Sequence, residues 1–297
     1  MGLLLLSFSS CSKEDSLEPT EAEKNYFAPD ENATDEESLL RRDFYKKNNS
    51  YLLFNDTLRH EPLGVNSDGV MQYFTETLDV SYVMAGTTSY FCRYDYIASI
   101  DDKRNAISFV ENYLLAHLSD KLRPFSWLLV DHITGYSLSD GVYTYQNEPS
   151  SVVGNRATAV ALEGVSDMEE EEKTELANTI LTGLVSDKVA AQSASVLKSF
   201  TKYSSSLYET YSGLIPSSEE ENMTLMNQSG FITGHYYYEI YLSYGTYPSQ
   251  SEDVSSFAKL VLTQSEDEVN DTYADYPLVL EKYRVMKAII TELGFVF

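Results

Sequence analysis

Four histidines, two cysteines and 46 acidic side chains are the groups in this 297-residue chain that could carry acid–base, nucleophilic or metal chemistry. The histidines are His60, His117, His132 and His235, and no two of them form a His-x-x-x-His pair that would turn two imidazoles toward one ion. His235 and Glu239 stand four apart in Gly234-His235-Tyr236-Tyr237-Tyr238-Glu239 and would share the face of a helix. So aromatic a run predicts strand or loop, which separates them, and His235 reads as a surface or tyrosine-packed histidine rather than a ligand. Asp131-His132 has the residue types of a general-base pair, yet neighbours in a strand point to opposite faces. Gly135-Tyr136-Ser137-Leu138-Ser139 lacks the second glycine of a serine nucleophile elbow, and no phosphate loop or dinucleotide fingerprint occurs. Paired carboxylates for glycoside hydrolysis meet only in three dimensions and leave no local signature, so that chemistry stays open. No catalytic residue, no metal ligand and no cofactor is assigned.

Two other residue sets stand out. Tyr236, Tyr237, Tyr238, Tyr241, Tyr244 and Tyr247 crowd into twelve positions. Exposed, they would make a stacking and hydrogen-bonding platform for a sugar or peptide; buried, they would fill the core from a strand pair. Packing is the favoured expectation, although Gly245 and Pro248 place part of the run in a loop. Tyr236, Tyr238, Tyr241 and Tyr244, with His235, are the candidate binding residues. Cys92, within Tyr90-Phe91-Cys92-Arg93-Tyr94, reads as a packed thiol in a strand.

The start of the chain points to a location. Leu3 to Leu6, then Phe8-Ser9-Ser10-Cys11, read as the end of a secretory signal with a lipoprotein cleavage site, which makes Cys11 the expected lipidated residue. With Cys11 lipidated, Cys92 has no partner for an internal disulfide. Ser12-Lys13-Glu14-Asp15 resembles the acidic export signals of surface lipoproteins in Gram-negative bacteria, so the expected place is the outer membrane, lipid-anchored and surface-exposed, with the periplasmic face as the alternative. No apolar run approaches the roughly 20 residues of a membrane-spanning helix, which leaves the lipid as the expected membrane contact. Residues 12–37 hold ten acids and two bases and read as a solvated tether. The net charge of −25 disfavours nucleic acid and anionic membrane surfaces as partners.

The elements that must position any site follow from periodicity. Residues 36–47 predict a helix, and Tyr51-Leu52-Leu53-Phe54 a buried strand. The turn residues Asn66-Ser67-Asp68-Gly69 precede a second strand over 72–84, expected to pair with the first as a hairpin. Residues 101–117 predict an amphipathic helix, residues 127–133 a central strand and residues 151–163 another. Helices follow over 168–186, capped by Ser166 and Asp167, and over 194–208, 252–262 and 277–293, the last closed by Gly294. Strands gather in 38–165 and helices in 166–297, which predicts one α+β domain: a mixed sheet with helices, then a mainly helical half.

This order of elements, with Phe44-Tyr45-Lys46-Lys47-Asn48-Asn49, Tyr51-Leu52-Leu53-Phe54-Asn55-Asp56, Gly230-Phe231-Ile232 and the Glu252-Asp253 helix, resembles the zinc-binding metallopeptidase lipoproteins of Gram-negative gut-type bacteria, a zincin-like family. The resemblance implies a zincin-like fold. It also implies a His-Glu-x-x-His motif on the helix after the sheet, with both imidazoles on one ion and the Glu as general base. Here the motif is degenerate: Thr182 and Gly183 fall at the first His and the Glu, and Ser186 at the second His. Lys259 takes the place of a third, acidic ligand, and an ammonium cannot donate to a metal.

The expectation is a cell-envelope lipoprotein, metallopeptidase-like but catalytically inactive, that binds peptide, glycan or an outer-membrane protein. The alternatives are an active hydrolase, either a metallopeptidase with relocated ligands or a glycan-acting enzyme, and a structural part of an outer-membrane uptake assembly.

Overall fold

The computed structural model describes residues 24–80, 90–212, 216–239 and 242–297. Cys11 and Tyr241 therefore lie outside the described residues, as do the expected signal and the first part of the acidic tether. Helix α1 (Glu36–Asn48) opens where Asp35 accepts a hydrogen bond from the Ser38 N–H, and it ends at Asn49 in the left-handed conformation. Then come β1 (Tyr51–Leu53), β2 (Thr57–Val65), β3 (Met71–Thr77), β4 (Tyr90–Asp95) and α2 (Ile100–Phe109). α2 continues through a π-helical turn, Val110–Leu114, and a 3-10 turn, Leu115–His117, so the helix expected to His117 has the right extent but changes pitch. β5 (Ser126–Val130), β6 (His132–Ser139), β7 (Val142–Asn147), β8 (Ser151–Val153) and β9 (Thr158–Ala161) follow. The second half holds α3 (Glu170–Ala190), α4 (Ala194–Thr201), α5 (Glu219–Gln228), the strands β10 (His235–Glu239) and β11 (Leu242–Thr246), and α6 (Gln250–Thr263), α7 (Glu266–Thr272) and α8 (Pro277–Leu293). The class is α+β.

A four-stranded sheet of order β1-β5-β9-β8 organises the molecule. β1 and β9 flank β5 in parallel, while β8 returns antiparallel along the outside of β9. β5 is buried at every residue because both faces are covered. Trp127 and Leu129 point into the main core with α2, α3, α6 and α8. Leu128 and Val130 point into a second core with Leu53, Ala159, Leu78 and Phe27. Among the described residues no helix is long and apolar enough to cross a membrane.

Several expectations need correction. β1 does not form a hairpin with the strand after Gly69; it pairs with β5, and the Asn66–Gly69 turn joins β2 to β3. The long strand over 127–133 is two strands, because at Asp131 the chain leaves the parallel sheet and β6 joins β4 in a second, antiparallel sheet of order β4-β6-β7. The strand over 151–163 is the β8–β9 pair, turned at Gly154, whose N–H donates to Ala157 O. A Cβ at Gly154 would stand 2.2 Å from Val80 O, so only glycine fits there. α3 is capped by the backbone N–H of Glu169 donating to Glu172 Oε2 at 2.8 Å, not by Ser166 or Asp167. The helix expected to residue 208 stops at Thr201 and gives way to turns. Phe27, expected in the solvated tether, is buried in the second core, and Arg41 donates to its carbonyl oxygen.

The helical half is pinned by one buried ion pair. Lys282 Nζ of α8 lies 2.7 Å from both carboxylate oxygens of Asp253 on α6 and donates to Ser204 Oγ at 2.9 Å. The Tyr208 hydroxyl donates to Asp253 Oδ2 at 2.8 Å. The rings of Phe200, Phe231 and Phe257 surround the ammonium, 4.6 to 4.7 Å from Nζ to each centroid. Burial outweighs the pairing that favours both ionised forms, so Lys282 is lowered to about 8 and Asp253 is raised. Lys282→Met should destabilise the protein by about 3–5 kcal/mol, since it leaves a buried carboxylate unpaired, whereas Lys282→Met with Asp253→Leu should recover most of that loss. Denaturant unfolding of the two variants and the parent checks this.

Candidate functional site

α3 turns Ala177, Ile180, Leu181, Leu184, Val185 and Val189 into the core. Thr182, Gly183 and Ser186 are half-buried on the flank of that face. Gly183 lies beside β8, for a Cβ placed on it would be 3.7 Å from Ser151 Oγ. Thr182 Oγ1 is buried and has no hydrogen-bond partner. Lys259 is exposed on α6, whose core-facing residues include Phe257, Ala258 and Leu260. Thr182, Gly183 and Ser186 thus share one side of α3, with Gly183 next to β8, and Lys259 faces solvent. Among the described residues no three His, Cys, Asp or Glu side chains come together as a group able to hold a metal ion.

β8 is the outer strand of the sheet, and its hydrogen-bond parity is fixed by two contacts. Ala161 N–H donates to Ser150 O and Gly154 N–H to Ala157 O, each at 2.9 Å. In an antiparallel pair the bonded residues alternate, so Val152 bonds to β9 while the N–H and C=O groups of Ser151 and Val153 point away from it. The side chain of Ser151, on the face of β8, reaches toward Gly183 of α3. Sequence reasoning missed the edge because it read residues 151–163 as one strand. The Gly154-Asn155 step was the available signal.

The tyrosine run divides. His235 begins β10, with Nε2 3.3 Å from the Glu252 carboxylate on α6, and Glu239 lies at the far end of the strand, about 13 Å along it. The sequence expectation that these two separate holds. Tyr237 and Tyr244 stack across the hairpin at 4.9 Å, with Tyr211 5.8 Å from Tyr244. Tyr237 is exposed, whereas Tyr236 and Tyr244 are half-buried. Tyr247 packs inward on Phe231 at 5.1 Å, its hydroxyl 3.0 Å from Ser229 Oγ. Of Tyr238 the backbone alone is described, paired with Ser243.

The Asp131-His132 pair does not act as a unit. The His132 ring sits between Glu148 at 3.6 Å and Glu163 at 3.7 Å. Asp131 instead lines a cavity of about 280 Å³ with Asp102, Asn105, Glu163 and Asp167, at the carboxyl ends of β5 and β9. Burial first, then the charges of Asp102, Glu163 and Asp95, raise the Asp131 carboxyl above its ordinary value. A larger cavity, about 700 Å³, lies between β2 and the 24–33 segment. Its arginines are committed to structure: Arg41 donates to Leu52 O and Phe27 O, and Arg59 to Glu61. Cys92 is a half-buried free thiol whose pKa burial raises, which keeps it in the unreactive protonated form.

The orphaned Thr182 hydroxyl yields a direct test. Thr182→Val keeps the shape and deletes the unpaired oxygen, so stability should rise by about 1 kcal/mol in denaturant unfolding, and a fall of that size would mean the hydroxyl has a partner. Compared with protein families, with curated proteins and with solved structures, the chain matches none.

Proposed function

We propose that this protein is a lipid-anchored binding protein of the cell envelope, built on a zincin-like scaffold whose metal site is degenerate, and that it captures an extended peptide along the β8 edge. The observation that carries the reading is the outward N–H and C=O groups of Ser151 and Val153 on a strand whose Ser151 side chain reaches toward Gly183 of α3. An added strand satisfies such an edge with main-chain hydrogen bonds, and neighbouring side chains then select among peptides. The residue types support binding over hydrolysis: hydroxyls and a glycine stand where the resemblance calls for imidazoles and a general base, and Lys259 brings positive charge where it calls for a carboxylate. In support, α3 directly follows the sheet strands β8 and β9, the place where the resemblance calls for the motif helix.

Screening the purified chain against an array of extended peptides should give binders without cleavage products. Val153→Pro removes an outward N–H that β9 does not use, so the fold should persist while peptide affinity falls about tenfold or more. Unaltered affinity would sink the edge assignment. Stoichiometric zinc with chelator-sensitive proteolysis would restore the hydrolase alternative. In a Gram-negative host, Cys11→Ser should abolish incorporation of labelled fatty acid and release the protein from the membrane fraction.

A further inference from the structure

The β4-β6-β7 sheet carries an aromatic face that the β8 edge does not use. Residues paired across strands share a face, and the register sets Phe91 opposite Tyr136, Tyr136 opposite Tyr145, and Leu138 opposite Tyr143. Phe91 stacks on Tyr136 at 5.3 Å with 15° between the planes, and Tyr143 meets Phe91 edge-on at 4.6 Å. Toward β7 the face is open: Tyr143 is 61% exposed, Tyr145 55% and Leu138 38%. The rings of Tyr143 and Tyr145 are the exposed part of this face, and among the described residues the hydroxyls of Tyr136, Tyr143 and Tyr145 have no hydrogen-bond partner.

Charge narrows the choice of occupant. β4 brings exposed Arg93 and Asp95, of opposite charge, to the same face as Phe91, while residues 133–147 contain a single charged side chain, Asp140, in a chain of net charge −25. An anionic polymer is repelled by the body of the molecule, and so is a second copy carrying the same −25. A cationic partner is drawn to the carboxylates elsewhere rather than to the β7 side of this sheet, which carries no charged side chain. A neutral, hydroxyl-rich ligand with apolar C–H faces matches what is left: C–H groups pack on the negative faces of the rings, and its hydroxyls bond the tyrosine oxygens. Aromatic positions repeat about 7 Å along a strand and about 5 Å across it, the scale of successive sugar rings. The surface is an open sheet, suited to a chain crossing it more than to an enclosed monosaccharide. We infer that this face, centred on Phe91, Tyr136, Tyr143 and Tyr145, binds a neutral polysaccharide.

Native affinity electrophoresis of the full chain tests this, with a soluble β-glucan, a starch-type α-glucan and a galactomannan cast in separate gels and polygalacturonate as the charged control. At least one neutral polymer should retard the protein. Tyr143→Ala with Tyr145→Ala should weaken that retardation at least about tenfold while circular dichroism stays unchanged. Val153→Pro should leave it intact, which separates this face from the peptide edge. The inference is overturned if none of the neutral polymers retards the chain, if polygalacturonate alone does, or if the double variant behaves as the parent. It is also overturned if the face proves to hold a second copy, seen as a dimer that the double variant dissolves.

Discussion

Lys282 and Asp253 are the constraint on which the helical half depends. Each is a charge removed from water, and each is tolerable only because the other stands 2.7 Å away. The pair ties α6 to α8, and through Ser204 and Tyr208 it also gathers the turns after α4. Three phenylalanine rings close the site, two from α4 and α6 and one, Phe231, from the segment after α5. Apolar residues could fill the same space, but they would not require one arrangement of these elements, since hydrophobic burial has no direction. A buried pair with satisfied hydrogen bonds does.

The sheet half depends on a different device. At Asp131 the chain passes from a parallel sheet buried on both faces to an antiparallel sheet with one open face. The change in environment is visible residue by residue: β5 is wholly buried, β6 alternates at its start and then becomes exposed, and β7 is exposed throughout. The open sheet is therefore an outgrowth of the central strand, held rigidly at its root by Ile133 in the second core. A surface built that way presents its side chains in fixed register, which a loop could not do.

Acidity and aromaticity divide the surface between them. Carboxylates crowd the first turns of α3, α5 and α7, where they favour the positive ends of the helix dipoles. The uncharged tyrosines collect on the strands, around β7 and at the Tyr237–Tyr244 stack. The two proposed binding surfaces are accordingly a sheet edge and an aromatic face, set apart from the acidic helix ends.

The α+β class, the helices α1, α3, α6 and α8, the closing Gly294 and the strand character of the Cys92 segment were legible in the sequence, because periodicity, caps and turn residues act over a few residues at a time. α5 and α7 were not read, although both begin with a serine cap and acids in the first turn; their short apolar stripes gave little to count. The partner of β1 could not be read, since its true partner β5 lies 75 positions away, Leu52 opposite Trp127, and no local signal spans that distance. The split at Asp131 was hidden because a buried strand and the root of an exposed one carry the same residue types. Lys282 and Asp253 each look like surface charges on amphipathic helices until α6 and α8 are packed. Local chemistry thus decided what each segment is and which donors the α3 flank lacks. Only the tertiary structure decided which edge stays unpaired and which charges are buried, because burial and strand pairing belong to segments far apart in the chain.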